Sequence, residues 1–588
     1  MKALPNDKAF LFKPKYGMDE FGSFEKISVE RRVVVGPDCE KTLLSLLKPR
    51  GFLEDSKTAF LLWDGASPKL GLKKISYRAL RKKSYRVAGS LLSLGVLSGE
   101  RVGILLPNII EFPIAYFGIL AAGCVAVPIN FLYASKESPA YDPAQILKIL
   151  KDAGIKTVIA LDKFYEAVSQ IKNQAELEKI VLVKTPDILP IVKSRLYVLK
   201  SKTGETSAQV KKDERVLDFK TLLKKSKCLR EIQNKPKHSA VILYTSGTTG
   251  DPKGIVHTHE SLMHNAGSCR KLVAEFGMEE NAETFLAAAP YFHIMGLAAM
   301  LHTPLLLRAK TVLLPRPIDF PALVSAIDYT KPTGFVGFPG LYKGMLGVLK
   351  KDDMRKKRHD FSSLKICLSG AAYMDSGIQS KFEEFTGKRI LIGYGMTEIG
   401  VTHCQRNKNN LGNIGFSLEE TNSKIAEPDE EGLGELLVRS KSAMAGYWNK
   451  PEKTYEFFTA DSWACTGDMA KLEKDGGISI VGRIDDDFIK LKSGEKLPLG
   501  AAEKILRDNP QVADAAVVGI LQPNGNYKIK AFVVLRSELQ NCREFAARQL
   551  FQYLRKLPAS QIPDEIKCID ALPRNHMGKV LKKILRSA

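Results

Sequence analysis

Short apolar segments alternate with amphipathic segments along most of the chain. "RVGILLP" (101–107), "KTVIALD" (156–162), "SAVILYTS" (239–246) and "LKICLSG" (364–370) have the length of buried strands. "SYRALRKKSYRVAGSLLSLG" (76–95) instead spaces its apolar residues as a helix does. This alternation predicts an α/β protein in which parallel-rich sheets are layered with helices.

The most apolar span of the chain is "PIAYFGILAAGCVAVPINFLY" (113–133). Its two internal prolines, Pro113 and Pro128, enclose fewer apolar residues than the roughly 20 that cross a bilayer as a helix. We therefore predict a buried helix followed by a core strand. The first residues, "MKALPNDKAFLFKPKYG", lack the apolar stretch of a signal peptide, so we expect a cytoplasmic protein, with membrane association as an additional candidate.

The last hundred residues read as a compact α+β module. "AAEKILRDNP" (501–510) is helical, and "VADAAVVGI" (512–520) and "IKAFVVLRS" (529–537) are strand-like. A polar segment, 471–490, precedes this module and is expected to form a junction. A second polar segment, 193–220, is expected to be an exposed connection.

Size and charge narrow the classes of function. A chain of 588 residues exceeds the roughly 250 to 300 at which a single core stops growing, so at least two domains are expected. The net charge of +23 favours anions such as nucleotides, nucleic acid or acidic lipids, and equally fits a solvated basic surface. No nucleic-acid-binding pattern appears, and the nine cysteines form no CxxC pair, so no nucleic-acid partner, zinc site or disulfide framework is expected.

One stretch concentrates chemistry: "YTSGTTGDPKG" (244–254). It follows an apolar strand, and the next helical pattern, "HESLMHNAGSCRKLVAEFG" (259–277), begins soon after it. A strand, a glycine-rich loop and a helix would surround one concavity with backbone N–H groups, hydroxyls and a lysine, an arrangement that suits a di- or triphosphate. The candidate ligands are Thr245, Ser246, Gly247, Thr248, Thr249, Gly250 and Lys253.

This stretch resembles a motif of the adenylate-forming superfamily of acyl-CoA synthetases, firefly-type luciferases and peptide-synthetase adenylation domains. The resemblance extends from "ISYRALRKKSYRVAGSLLSLGVLSGERVGILLPN" (75–108) to "LPRNHMGKVLKKILR" (572–586), and the motifs occur in family order. Long-chain fatty acyl-CoA synthetases are the most similar branch, because 179–205 resembles their connecting segment. The resemblance implies a large N-terminal domain, residues 1–484, with the ATP and acyl sites. A small mobile domain, residues 485–588, would carry the catalytic lysine.

The resemblance also implies which residues bind the nucleotide. In "IGYGMTE" (392–398), Tyr394 and Gly395 would face the adenine, Thr397 a phosphate, and Glu398 would bind Mg²⁺ as a hard oxygen ligand. In "SGAA" (369–372), Gly370 and Ala371 would turn their backbone toward the adenine edge, although Ala371 and Ala372 stand where the family more usually has Gly-Ala. In "WACTGDMA" (463–470), Asp468 would accept bonds from the ribose hydroxyls, with Arg483 as a second ribose contact.

The remaining implied residues belong to the reaction itself. Lys579 matches the C-terminal catalytic lysine, which would offset negative charge at the α-phosphate. Thr245, Glu398 and His293, the last in "PYFHIMGL" (290–297), complete the implied catalytic set, with His293 as a gate between the acyl and thiol sites. Asp485 would be the interdomain hinge, and Gly494 would belong to a loop lining the thiol tunnel. In that loop Pro498 stands one position earlier than in the usual family pattern.

The implied reaction has two steps. ATP and a medium- to long-chain fatty acid would give acyl-AMP and pyrophosphate, and CoA would then take the acyl group. ATP, Mg²⁺ and CoA are the expected cofactors, and an anionic membrane surface is an additional candidate partner. The residues leave other readings open: an acyl-AMP ligase, a CoA ligase for a short-chain or aryl acid, a luciferase-like oxygenase, or a non-catalytic nucleotide-binding protein. The oligomeric state has no sequence signal.

Overall fold

The computed structural model describes most of the chain. The described residues are 42–63, 65, 72–190, 194, 213–225, 234–246, 251–316, 319–406, 413–490, 496–522, 526–536, 543–574 and 580–587. The strands within them are β1 Thr58–Leu62, β2 Lys73–Ser76, β3 Arg101–Leu105, β4 Val125–Pro128, β5 Thr157–Leu161, β6 Lys179–Val183, β7 Val216–Asp218, β8 Ser239–Ser246, β9 Pro252–Thr258, β10 Thr284–Ala287, β11 Lys310–Leu313, β12 Gly334–Gly337, β13 Ile366–Ser369, β14 Ile390–Met396, β15 Gly400–Cys404, β16 Phe416–Ser417, β17 Thr421–Ala426, β18 Leu433–Ser440, β19 Gly446–Tyr447, β20 Ala464–Leu472, β21 Ile478–Arg483, β22 Phe488–Lys490, β23 Lys496–Pro498, β24 Val512–Leu521, β25 Tyr527–Leu535 and β26 Glu565–Cys568.

Helices connect and cover these strands. In chain order they are α1 Phe52–Ser56, α2 Tyr77–Ser93, α3 Glu111–Ala121, α4 Pro143–Asp152, α5 Tyr165–Ile171, α6 Thr185–Ile188, α7 Phe219–Lys225, α8 His259–Ala274, α9 Ile294–Leu297, α10 Thr303–Leu306, α11 Phe320–Thr330, α12 Pro339–Met354, α13 Ser376–Thr386, α14 Pro451–Phe457, α15 Ile484–Asp487, α16 Gly500–Asp508, α17 Arg543–Leu554 and α18 Lys582–Arg586. A π-helical turn, Ala298–His302, joins α9 to α10.

Two large sheets form the body of the protein. Within the described ranges, one has nine strands in the order β16-β15-β14-β13-β12-β10-β11-β1-β2, and the other has eight in the order β19-β9-β8-β4-β3-β5-β6-β7. Pairing is parallel in the centre of both sheets, and antiparallel strands lie only toward the edges. One hydrophobic cluster connects strands and helices of both sheets. The predicted α/β fold, with parallel-rich sheets layered with helices and a smaller C-terminal domain, is confirmed.

The apolar span 113–133 folds as the sequence predicts. Every residue of α3 is buried, and all four residues of β4 that follow it are buried as well. Burial on all sides explains why this helix carries no polar face. Across the residues that the structure describes, no helix is both long enough and apolar enough to cross a membrane.

The chain after β8 continues differently from the sequence expectation. We expected a strand, the loop and then a helix, but the loop joins β8 to a second strand, β9, which pairs with it antiparallel from Ser246↔Pro252 to Ser239↔Thr258. Buried β-branched residues, Ile255 and Val256, favour the extended conformation in β9. Helix α8 begins only at His259, where the Thr258 side chain caps it. The loop is therefore a hairpin connection and does not lead directly into a helix.

The polar segment 471–490 is more regular than expected. It contains β21, which pairs antiparallel with β20 in a four-stranded sheet ordered β17-β18-β20-β21 within the described part of the chain. Its apolar residues alternate, so Ile478 and Ile480 pack on one face of the strand. The α+β module that follows has β24, β25 and β26 in one sheet, with α16 and α17 over its core. Most of the other polar segment, 193–220, lies outside the described residues.

Candidate active site

Three of the residues predicted to bind adenosine are in direct contact. Asp468 on β20 lies opposite Arg483 on β21 in the strand register, and the Arg483 Nε is 2.9 Å from an Asp468 carboxylate oxygen. The Tyr394 hydroxyl donates to the other carboxylate oxygen at 2.6 Å. Burial alone would lower the pKa of Arg483, but the neighbouring Asp468 raises it above its usual value. The carboxylate is therefore held in place with its two oxygens oriented by two different strands.

Glu398 is held by a residue that the sequence motifs did not single out. The Tyr447 hydroxyl donates to a Glu398 carboxylate oxygen at 2.9 Å, and the backbone N–H of Met444 donates to the Glu398 carbonyl at 2.7 Å. Burial and the Glu398 carboxylate both raise the pKa of Tyr447. Tyr447 lies in β19, beside β9, so the strand after the phosphate loop helps to position the carboxylate.

The described ends of the phosphate loop come close to this carboxylate. Thr245 lies opposite Lys253 in the β8–β9 register, and the Lys253 ammonium is 5.8 Å from the centre of the Tyr447 ring. Burial and the positive charge of Lys453 lower the pKa of Lys253, while Glu398 opposes that shift. Lys253 and Glu398 thus both lie close to Tyr447, one near its ring and the other at its hydroxyl.

A buried histidine fixes the backbone next to Glu398. The His257 Nε2 lies 2.7 Å from the Thr397 carbonyl oxygen, so this nitrogen carries the proton and donates. Burial lowers the pKa of His257 to about 4, which keeps the ring neutral near pH 7. Thr397 is itself buried and follows β14 directly, so β9 and β14 are tied together at the predicted phosphate contact.

The turn after β13 carries backbone strain. Ala371 has a φ of 68°, in the left-handed region that favours glycine, and its side chain is exposed. The preceding residue, Gly370, donates its N–H to the Gly337 carbonyl at 3.1 Å. At Gly395 in β14, an added Cβ would lie 2.1 Å from the carbonyl oxygen of Gly400 in β15, so only glycine fits there.

A cavity of about 770 Å³, including its open mouth, begins at these residues. Its mouth is lined by His293, Ser369, Gly370, Ala371, Tyr394 and Gly395. Its interior passes between α8 and the sheet and is lined by apolar side chains, including Cys269, Leu272, Val273, Phe285 and Val336. We call it the acyl cavity. Val336, at the end of β12 nearest this cavity, is one of these lining residues.

His293 lines this cavity and is also the N-cap residue of α9. Its Nδ1 accepts a hydrogen bond from the Met295 N–H at 3.4 Å. The turn is very tight, because a Cβ at Gly296 would lie 2.0 Å from the Pro290 carbonyl oxygen. This turn, and the π-helical turn that follows α9, orient the histidine and place Ala299 and Thr303 on the cavity wall.

The predicted hinge residue lies next to a cluster of ion pairs. Asp485 is in the short helix α15, directly after β21, and its carbonyl accepts from Arg586 Nη2 at 2.7 Å. Two residues later, the Asp487 carboxylate is bridged by the Lys582 ammonium at 2.5 Å, and the same ammonium contacts Glu503 at 2.7 Å. Helix α18 therefore holds the segment around Asp485. The hinge role of Asp485 stays a prediction.

Several predicted residues lie outside the described residues: Gly247, Thr248, Thr249, Gly250, Gly494 and Lys579. For Ser246 the structure describes only the backbone, which pairs with Pro252. The other predicted nucleotide residues converge on one region around β14, β20 and the β8–β9 hairpin. Their roles in binding ATP stay predictions.

Comparison with known proteins now identifies the family. Residues 57–448 match the model of the AMP-binding enzyme family, and residues 501–579 match that of the AMP-binding enzyme C-terminal domain. The chain belongs to the AMP-binding enzyme family. The resemblance to adenylate-forming enzymes is thereby confirmed, and the chain is an AMP-forming acyl-CoA ligase, a class that uses ATP and CoA.

Individual relatives differ in the acid that their names give. A long-chain-fatty-acid–CoA ligase of Bacillus subtilis (strain 168) is 30% identical over 93% of this chain and 94% of its own length. A malonate–CoA ligase of Arabidopsis thaliana is 29% identical over 84% and 79%. A solved anthranilate CoA ligase, AuaEII with anthranoyl-AMP, is 27% identical with a TM-score of 0.74 and covers 93% of this chain and 96% of that one. The comparisons therefore establish the ligase and leave the acid open.

Proposed function

We propose that this ligase activates medium- to long-chain fatty acids, forming acyl-AMP and then acyl-CoA. The observation that carries the proposal is the acyl cavity, which begins at His293 and Tyr394 and continues between apolar side chains as far as Val273 and Phe285. Cavities lined in this way favour apolar ligands, with a few polar groups at one end that fix orientation. The similarity to a long-chain-fatty-acid–CoA ligase supports the same choice of acid.

In the first step the acid carboxylate would attack the α-phosphorus of ATP at the cavity mouth. Asp468, oriented by Tyr394 and Arg483, would accept from the ribose hydroxyls. The loop from Thr245 to Gly250 and Lys253 would hold the departing pyrophosphate. We assign Lys579 the role of offsetting, with its positive charge, the negative charge that develops at the α-phosphate in the transition state.

Glu398 is the candidate ligand for Mg²⁺. A carboxylate with a fixed orientation is a hard oxygen donor, and Mg²⁺ bound to substrate phosphates needs only one or two protein carboxylates. The described residues contain no cluster of three or more acidic, histidine or cysteine side chains that could hold a metal. Such a cluster is not required for Mg²⁺, because water molecules and the substrate phosphates supply most of its ligands. When bound, the ion would neutralise phosphate charge. The task of Glu398 and Tyr447 would be to hold the ligand oxygen in position.

In the second step, CoA would replace AMP on the acyl group. We propose that the C-terminal residues rotate about Asp485, withdrawing Lys579 and bringing the Gly494 loop to the mouth of the cavity, where His293 would gate the thiol. Both reactions would then use a single acyl site.

The test varies the acid and the depth of the cavity together. Initial rates of CoA-ester formation are measured for butanoate, octanoate, hexadecanoate, benzoate and malonate with the wild type and with Val273→Trp. Because tryptophan at 273 would fill the inner end of the acyl cavity, the preferred acid should shift from hexadecanoate toward butanoate or octanoate. Val273→Leu serves as a milder filling variant and should give an intermediate shift.

Two controls keep this result interpretable. The melting temperature of each variant shows whether overpacking has damaged the fold, since extra atoms in a packed core usually cost about 1–3 kcal/mol. The KM for ATP, which concerns the mouth of the cavity, should change much less than the preference among acids. A wild type most active on benzoate or malonate, or a Val273→Trp variant with the wild-type preference for hexadecanoate, would reject the fatty-acid proposal.

A further inference from the structure

A second cavity lies at the other ends of the strands that carry the active site. It is lined by four cationic residues, Lys365, Lys388, Arg389 and Arg406, and we call it the basic pocket. Its volume is about 570 Å³ including its open mouth. The cationic residues adjoin the amino-terminal ends of β13 and β14 and the carboxyl end of β15, whereas the active site adjoins the carboxyl ends of β13 and β14.

The basic pocket adjoins the inner end of the acyl cavity. Ile366 lines both cavities, and along α8 and its continuation Val273 lines the acyl cavity while Phe276 lines the basic pocket. Along β13, the five residue steps from Gly370 to Lys365 correspond to about 16 Å of extended backbone. A long unbranched chain that enters at His293 and follows this strand would therefore end at the basic pocket.

Two of the four cations already have a carboxylate partner. Lys365 pairs with Glu283 at 2.7 Å, and Arg406 pairs with Glu275 at 2.7 Å. In contrast, Lys388 donates to two backbone carbonyls, those of Ser362 and Leu364, which carry no charge.

Arg389 is less satisfied still. Its Nη2 is shielded from solvent and has no hydrogen-bond partner within the part of the chain that the structure describes. A shielded donor without a partner is costly, and more so on a charged group. A guanidinium is also the side chain best suited to bind a carboxylate through two parallel hydrogen bonds. Among the described residues, the pocket therefore combines two cations without a carboxylate partner, one shielded donor without an acceptor, and a position at the end of an apolar cavity.

We propose that this ligase accepts long-chain α,ω-dicarboxylic acids, binding the far carboxylate in the basic pocket through Arg389 and Lys388 while the near carboxylate is activated. The inference rests on the proposed function, because it takes the acyl cavity as the site of the chain. A carboxylate at the chain end is favoured over a lipid headgroup, since the unused Arg389 donor is shielded from the surface and the adjoining cavity is apolar. The carboxylate would supply an acceptor for the Arg389 Nη2 and a negative charge beside Lys388, whose acceptors are two uncharged carbonyls.

The experiment compares hexadecanedioate with hexadecanoate and with hexadecanedioate monomethyl ester, which has the length of the diacid without the far charge. Wild-type kcat/KM for CoA-ester formation should be at least as high for the diacid as for the monoacid. Octanedioate, which is too short to reach the pocket, should be a poor substrate. Arg389→Met should lower kcat/KM for hexadecanedioate at least about tenfold, the size expected for a lost charge-assisted hydrogen bond, and should raise that for hexadecanoate.

Matched variants separate this effect from a general loss of charge or fold. Arg355→Met removes an exposed arginine outside both cavities and should leave the ratio between the two acids unchanged. Arg389→Lys should retain part of the diacid preference, and Lys388→Met should lower it if Arg389→Met does not fold. Strong discrimination by the wild type against hexadecanedioate, or an equal effect of Arg389→Met on both acids, would overturn the proposal.

A direct binding measurement distinguishes this proposal from the proposed function. If neither acid gives a CoA ester, the fatty-acid function fails, and calorimetry with hexadecanedioate and its monomethyl ester then decides on the pocket. Tighter binding of the diacid that Arg389→Met abolishes supports the pocket, and equal binding rejects it. Sedimentation with phosphatidylglycerol vesicles completes the test, because Arg389-dependent vesicle binding without any diacid preference would overturn the proposal in favour of a lipid headgroup.

Discussion

At the scale of single residues, the contact of Asp468 with Tyr394 and Arg483 is the feature most open to test. Asp468→Asn would keep the shape of the side chain but leave the Arg483 guanidinium beside a neutral amide. We expect the KM for ATP to rise about ten- to a hundredfold, because hydrogen bonds to charged groups contribute roughly 1.5–3 kcal/mol. Initial rates measured against ATP concentration give this value.

The control for Asp468 is Asp461→Asn, an exposed aspartate whose carboxylate accepts from the hydroxyl of the neighbouring Thr459 at 2.7 Å. This variant should retain the wild-type KM. An unchanged KM for ATP in Asp468→Asn would show that Asp468 does not contribute to nucleotide binding.

The backbone at Ala371 gives a second residue-scale prediction, now for stability. Its left-handed conformation costs a non-glycine residue about 1–2 kcal/mol, and glycine avoids that cost while losing more entropy on folding. Ala371→Gly should therefore raise the free energy of unfolding by up to about 1 kcal/mol in urea titrations.

The neighbouring alanine provides the matched control for this change. Ala372 is not among the residues with positive φ, so Ala372→Gly should lower the free energy of unfolding by roughly 0.5–1 kcal/mol. Destabilisation by both substitutions would show that the turn does not store the strain that we attribute to it.

The sequence predicted some of the residues that the structure brings together and missed others for a physical reason. Tyr394, Asp468 and Arg483 lie in motifs for which the family resemblance implies adenine and ribose contacts. Tyr447 carries no such signal, because its relevance comes only from a contact with Glu398, 49 residues away in the chain. A single sequence contains residue types and local order, and a contact of this kind depends on how β19 pairs with β9.

At the scale of elements, length and periodicity predicted the buried helix α3 and the long strand β8. They did not predict that the phosphate loop is a hairpin, because the polar start of β9 reads as a continuation of the loop. Buried β-branched residues in "GIVHT" (254–258) were the available signal. No pattern in the sequence indicated the π-helical turn at Ala298–His302, which separates α9 from α10.

Helix α18 yields a prediction about the C-terminal residues. Lys582→Met would leave the carboxylates of Asp487 and Glu503 without this shared counterion in a largely buried setting. Breaking a buried ion pair by removing one partner typically costs about 3–5 kcal/mol, so residues 485–588 should become much more sensitive to urea and to limited proteolysis.

Lys583→Met is the matched control, because Lys583 lies on the same helix but is exposed. Its proteolysis pattern should equal that of the wild type. If Lys582→Met were equally resistant, the ion-pair cluster would not be holding the segment around Asp485.

At the scale of the whole molecule, four buried histidines predict how stability depends on pH. Burial lowers the pKa of His257 to about 4 and those of His259, His302 and His403 to about 3. The unfolded chain binds protons at these residues below about pH 6.5, whereas the folded chain does not. The contribution of these neutral rings to the free energy of unfolding is therefore fully present above about pH 6.5. Below that pH the free energy of unfolding falls, by about 1.4 kcal/mol per pH unit for each histidine.

Urea unfolding between pH 7.5 and 5 measures this dependence, in a range above most carboxylate titration. His257→Gln retains a donor for the Thr397 carbonyl. It should reduce the slope of the free energy of unfolding against pH by the share that one histidine contributes. Above pH 7 its slope should equal that of the wild type. A wild-type stability that does not fall between pH 6.5 and 5 would contradict the neutral, buried state of these rings.

For the whole molecule, we infer that one site makes an acyl adenylate and then passes the acyl group to CoA. The most direct measurement mixes the protein with hexadecanoate and ATP without CoA, quenches the mixture, and identifies the products by mass spectrometry. We predict about one hexadecanoyl-AMP per active site with matching pyrophosphate, and conversion to hexadecanoyl-CoA and AMP when CoA is added. Formation of ADP and phosphate, or of CoA ester without any detectable adenylate, would contradict the account.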